Sequence, residues 1–223
     1  SAGVLEVTNS RGLGYDDGTT AAGTQMNPAT HYQATLRLNG GTSNGAVAVG
    51  NEWLFNLQGS GVDEQGALVS INGENSWNGR VFATSAAAGV IVMDAVIDVS
   101  GTSGSLNMSA GGSGALGVGL SKTGSRRLTM SGSQTFSGRT NVLAGELQFN
   151  ATSISTAVTA VASGATLSGN GTLSGPLVVA GTLAPGSVGS GLLTVNHDVT
   201  FMDSATYTVD VQGTTAGATH DQL

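Results

Sequence analysis

The 223-residue chain has no cysteine. No disulfide can staple it, and thiolate chemistry is excluded. Small extracellular proteins commonly lean on disulfides, so a secreted chain of this kind must draw its stability from elsewhere, as a long stacked core can supply. Proline is nearly absent, with three residues, and the glycines follow no period of three, which excludes a collagen-like helix. Charge is sparse: 9% of residues against a usual figure of about 25%. Because 39% are apolar, low charge here does not mean disorder, which needs high charge and little hydrophobicity. Seven Lys and Arg face fourteen Asp and Glu, a net charge of −7, and the only adjacent basic pair is Arg126-Arg127. Nucleic-acid binding wants a dense basic face, so that partner is excluded. No stretch of about 18 apolar residues occurs, and the nearest, residues 86–99, is broken by Gly89, Asp94 and Asp98. The first residues, Ser-Ala-Gly-Val-Leu, have neither a basic start nor an apolar signal core, and read as a mature or excised end.

What the chain has in quantity is glycine, 36 residues. Each glycine in a helix costs about 1 kcal/mol against alanine, so a helical fold is disfavoured. Apolar residues alternate in short runs instead: Leu36 and Leu38, Val47 and Val49, Val69 and Ile71, Leu128 and Met130, Leu193 and Val195. Each pair leaves a strand on one side. The runs span four to six residues and end at Gly, Asn or Ser. The best helical candidate, residues 153–162, is rich in Thr, Val and Ile, which favour strands.

The chain also repeats. A shift of 59 positions sets Val69 on Leu128, Ile71 on Met130, Gly73 on Gly132, Trp77 on Phe136 and Arg80 on Arg139. A shorter unit, Gly-x-Leu, recurs at Gly66, Gly114, Gly145, Gly171 and Gly181. Repetition in a strand-rich chain implies stacked coils, because one coil cannot bury its own apolar edge but a stack can. The fold expected is an all-β right-handed parallel β-helix of about nine to eleven coils, each of roughly 20–25 residues. Val69, Ile71, Leu128, Met130, Leu147 and Val195 are its expected core. Trp77 is expected to stack with a ring such as Phe136 from another coil. Trp53, Phe55 and Leu57 alternate onto one face, as packing or as a ligand platform.

Reactive motifs are weak. Gly112, Gly114 and Gly117 spell Gly-x-Gly-x-x-Gly, yet Val118-Gly119-Leu120 follows, not the helix a dinucleotide site requires. Residues 41–45 spell the nucleophile-elbow pattern Gly-x-Ser-x-Gly without the strand-turn-helix context. His31, His197 and His220 lie far apart, and His220-Asp221 are adjacent, so they point opposite ways on a strand. No Gly-Gly-x-Gly-x-Asp calcium repeat is present. A β-helix that processes glycans would need polar groups converging on one face. The candidates, Asp94, Asp98, Arg126, Arg127 and Arg139, read as scattered solvated charges, and Asp16-Asp17 as a loop between Gly14 and Gly18. No catalytic, cofactor-binding or metal-binding residue is assigned, no cofactor is expected, and the chain is not expected to be an enzyme.

The segment GSRRLTMSGSQTFSGRTNVLAGELQFN (residues 124–150) resembles the passenger-associated repeat of bacterial autotransporters. Residues 51–80 look like its companion repeat, residues 120–128 like its connecting strand, and residues 171–201 like the stretch before the passenger's end. Arg139 stands where the family usually has a second glycine, and Phe136 where it has tyrosine. The resemblance implies one β-helix over residues 1–223, a fragment of a longer passenger. Residues 1–50 would form N-terminal coils, residues 51–150 two related repeat blocks, and residues 151–223 C-terminal coils cut before the natural end. It also implies a bacterial surface or secreted location and a role as adhesin stalk or structural rod. The partners expected are a host or neighbouring-cell ligand, the adjacent coils of a longer chain, or another copy end to end. Membrane association would come only through a C-terminal β-barrel not present here. An extracellular filament subunit is the alternative, with a glycan-processing enzyme as a third reading.

Overall fold

The computed structural model describes residues 3–13, 23–26, 34–41, 45–83, 95–99, 105–108, 112–114 and 118–223. Among them are 23 strands and no α-helix, with only a short 3-10 turn at Val62–Glu64. Every strand-to-strand pairing among them is parallel, and successive neighbours in a sheet lie one coil apart in sequence. This is a parallel β-helix.

A first sheet of nine strands runs the length of the molecule, from Gly3–Val7 through Ala34–Asn39 and Leu68–Asn72 to Leu177–Val179 and Val199–Phe201. A second, ten-stranded sheet begins at Ala48–Val49 and includes Glu74–Trp77, Ser105–Met108, Arg127–Gln134, Glu146–Ser153 and Thr166–Gly169. Among the described residues a third sheet comprises Thr24–Gln25, Leu54–Phe55, Val81–Ala83 and Gly112–Gly114. Nine rungs stand at the lower end of the expected nine to eleven.

Coil length is not uniform. Leu5 lies beside Leu36, Leu36 beside Leu68 and Leu68 beside Ile97, so the early coils are long. Lys122 lies beside Val142, Val142 beside Val161 and Val161 beside Val179, so the later coils are about a third shorter. The expected coil length therefore describes only the C-terminal half, where the steps from Val142 to Val161 and from Val161 to Val179 fall just below it. Among the described residues the third sheet belongs to these longer coils, and its last strand is Gly112–Gly114.

Alternation along each strand sends one set of side chains inward, and the rung register stacks them in columns. In the first sheet Leu36, Leu68, Ile97, Lys122, Val142, Val161 and Val179 form one column. In the second, Leu106, Leu128, Leu147, Leu167 and Leu183 form another, beside Val49, Trp77, Met108, Met130 and Phe149. The apolar members are at most 4% exposed. Burying each leucine stabilises by roughly 1.5–3 kcal/mol.

Leu128, Met130 and Leu147 are core, as expected. Val195 is only partly buried against it. Val69 and Ile71 correct the expectation. Leu36, Leu38 and Leu68 are the inward residues of these strands, which leaves Val69, paired with Arg37, on the outer side. Val69 is buried but outside the core cluster, and Ile71 is half-buried. The 59-residue match therefore superposes strands of different sheets: Val69 belongs to the first, Leu128 to the second. Trp77 likewise does not stack on Phe136. It sits between Val49 and Met108 in the column, fully buried, its indole N–H without a hydrogen-bond partner among the described residues.

Besides Ser70, which stands between Leu38 and Val99 in the first sheet, two larger polar side chains occupy core columns. Asn75, fully buried, stands one rung from Leu106. Its Oδ1 accepts from the Val47 amide at 2.8 Å, while Nδ2 donates to Ser70 Oγ at 2.9 Å and Asn72 O at 2.8 Å. A buried amide so satisfied locks a corner where three coil segments meet. The other is Lys122.

Candidate functional site

Lys122 takes an inward position between Ile97 and Val142, where an aliphatic residue would continue the column, and is fully buried. Its Nζ donates to Thr123 O at 2.6 Å, Gly124 O at 2.8 Å and Ala144 O at 2.9 Å. An ammonium has three donors and all three are used. The carbonyls belong to the corners of two successive coils, so the side chain ties those corners together. Burial pulls its pKa down to about 8, opposed by the attraction of Asp98 and Glu146. All three of its donors are thus spent on backbone carbonyls.

A groove of about 500 Å3 lies on the outer face of the second sheet. Glu74, Arg126, Arg127 and Glu146 line it above the bare backbone of Gly145 and Gly164. Gly145 has φ 63°, and any side chain there would collide with backbone oxygens of the preceding coil, so the floor stays open by necessity. Arg127 Nε donates to Glu146 Oε2 at 2.8 Å, and Ser168 Oγ donates to Glu146 Oε1 at 2.6 Å. Both oxygens of Glu146 are thus engaged. Glu74 and Glu146 stand three rungs apart, with Ser105 and Arg127 between. At about 4.8 Å per rung their backbones are roughly 14 Å apart. Glycosidase carboxyl pairs stand about 5–9.5 Å apart. The groove offers balanced charge and hydrogen-bonding groups without a paired acid and base.

The remaining sequence candidates are dispersed. Asp98 accepts from Thr123 Oγ1 at 3.0 Å, and Arg139 is exposed on another corner. His197 is exposed beside Asp198, 3.8 Å away. His220 Nδ1 lies 3.3 Å from Gly213 O, while the Asp221 carboxylate accepts the Gly191 and Asp210 amides at 2.7 and 2.8 Å. Those bonds tie the last residues to the neighbouring coil. Gly112–Gly114 is a strand of the third sheet, so the Gly-x-Gly there is extended backbone. Gly41 and Gly45 border a coil corner, where Gly45 packs directly on Gly40 O. Asp16, Asp17, His31, Ser43, Asp94 and Gly117 lie outside the described residues. Among the described residues no cluster of three or more metal-ligating side chains occurs.

The third sheet carries a feature that the sequence only half suggested. Leu54 pairs with Val81, which sets Phe55 beside Phe82 one rung on. Their rings stack at 4.9 Å and 11°, and Trp53 tilts against Phe82 at 5.3 Å. Arg80 extends its guanidinium over Phe82 and Trp53, 5.2 and 5.7 Å from the ring centres. Leu57 does not share this face. Asn56 is left-handed, φ 59°, and the reversal turns Leu57 into the core. Spacing alone could not reveal that, because strict alternation assumes extended backbone throughout. Neither known protein families, nor curated proteins, nor solved structures yield a match to this chain.

Proposed function

We propose that this chain is a non-catalytic rod of a bacterial surface or secreted protein of the autotransporter-passenger type, serving as an adhesin stalk. The observation that carries the reading is the unbroken core. One set of apolar columns passes through the rungs, so the molecule is a stiff spacer along its axis. The resemblance of residues 51–80, 120–150 and 171–201 to passenger repeats adds the location, an argument by analogy. The polar groups of the outer groove are engaged with one another or spread over several rungs, which suits a surface better than a reaction centre.

Protease added to intact cells that make the natural protein should cut this chain, and an antibody against it should label them. Protection inside the cell would overturn the location. Turnover of a polysaccharide by the purified protein, abolished by E146Q or R127Q, would overturn the non-catalytic part.

A second reading, a filament subunit joined end to end, draws on the terminal rungs. Leu5 of the first rung and Phe201, Met202 and Tyr207 of the last are 41–52% exposed. Such edges are templates for pairing. Against it, the coil from Gly3 to Ala34 is clearly longer than the step from Leu177 to Val199, so the two ends differ in outline.

A further inference from the structure

We propose that the outer face of the third sheet, at Trp53, Phe82 and Arg80, binds an acidic glycan: a pyranose chain bearing carboxylates. The proposal deepens the adhesin reading and rests on it for its biological setting.

The floor comes first. Phe55 and Phe82 are held one rung apart by the Leu54–Val81 pairing, so their parallel stacking at 4.9 Å is dictated by the strand spacing. Trp53 completes a three-ring surface that remains partly exposed. Beneath it, Phe55 rests on the backbone of Gly23, where a side chain would collide with the ring. The floor is therefore rigid before any ligand arrives, which reduces the ordering cost of binding. An aromatic face accepts the C–H face of a pyranose as it accepts other apolar groups, with its quadrupole drawing the polarised hydrogens.

The charge comes second. Arg80 lies over this floor, exposed, and among the described residues its guanidinium makes neither a hydrogen bond nor an ion pair. Glu52, the carboxylate next to Trp53 in sequence, is 4% exposed and accepts from Thr24 Oγ1. Arg80 thus keeps donors suited to bidentate capture of a carboxylate. A sugar ring seated beside that guanidinium, against the partly exposed Trp53 ring, would bring a ring-borne carboxylate within reach.

A protein partner fits less well. A stable protein interface needs about 800 Å2 from each side with an apolar centre. Three half-buried rings flanked by exposed Asn51 and Asn78 are a ring-sized floor with a polar rim.

The test is calorimetric titration of the purified chain with trigalacturonate and with maltotriose, accompanied by tryptophan emission. Trigalacturonate should bind and change the emission of Trp53. R80Q and W53A should each weaken it by at least about tenfold, and maltotriose should bind at least about tenfold more weakly than trigalacturonate. Circular dichroism must show both variants folded; Gln at an exposed position preserves the floor, so R80Q alone suffices if W53A does not fold. Equal binding of the two sugars, trigalacturonate binding indifferent to R80Q, or no binding at about 10 mM would each overturn the proposal. A protein ligand that lost affinity on R80Q while trigalacturonate bound nowhere would overturn it too. None of these results bears on whether the rod lies at the cell surface, which the protease and antibody experiment decides.

Discussion

Lys122 is where a single residue carries the most chemistry. In the folded chain its pKa is about 8, below the ordinary 10.5, because burial penalises the charged form. Between these values the unfolded chain holds a proton that the folded chain has released, so stability rises with pH across that window. The rise amounts to about 3 kcal/mol at most. Denaturant midpoints from pH 7.5 to 10.5 should show it. Lys122→Met, which keeps the column filled but removes the titrating group, should flatten the profile; a profile unchanged by the substitution would mean that the rise has another source. A second residue-scale comparison separates inward from outward positions. Leu128→Ala should cost roughly 2–5 kcal/mol, and Val69→Ala clearly less, since only Leu128 belongs to the core cluster. Equal losses would show that both side chains sit in one core. Leu128 was readable from alternation alone. Val69 was not, because Leu68 and Val69 are both apolar and period two then allows either face inward.

At the scale of the strand and its corner, glycine decides how closely coils approach. Gly79 packs its α-carbon directly on the backbone of Glu52 in the preceding coil, and any side chain would collide with the Glu52 carbonyl. The obstacle is backbone, which cannot swing aside as a flexible side chain would. Gly79→Ala should therefore lower stability by roughly 2 kcal/mol or more, while Gly164→Ala, with open space about it, should lose only what its φ of 80° demands, about 1–2 kcal/mol. Thermal denaturation of the two variants would rank them, and a reversed order would refute the packing argument. The Gly-x-Leu unit does mark strand entries at Gly145 and Gly181, one column in the second sheet, but Gly66 precedes a strand of the first. A three-residue motif announces a corner without saying which corner of the coil it is. The 59-residue match failed for the same reason: it equated a first-sheet strand with a second-sheet strand of similar pattern.

For the whole molecule, nine rungs at about 4.8 Å place the first and last strands of the long sheet roughly 40 Å apart. If the terminal rungs pair between copies, sedimentation velocity over a hundredfold concentration range should show a growing, salt-insensitive larger species. The unequal coil lengths at the two ends predict that such association stays weak. A strictly monomeric species would remove the filament reading, and tight association at the lowest concentration would favour it over the stalk.

Composition and alternation determined that the chain is all-β and coiled, because glycine-rich, low-charge, period-two sequence has few other ways to bury its apolar side chains. They also placed the aliphatic columns around Leu128 and Leu147. Only the tertiary structure decided the coil lengths, the place where the third sheet stops and the register of each rung. Those depend on backbone reversals such as Asn56 and on which strand lies one coil away, a separation that varies along the chain and that no local pattern records. The same holds for the large polar residues of the core. Lys122 and Asn75 look like surface residues in sequence, and each is buried because its donors meet carbonyls or hydroxyls brought together by segments distant in sequence, as Leu38 is from Asn75. The Arg80 face, assembled from neighbouring coils across the Leu54–Val81 pairing, exists only once those coils have stacked.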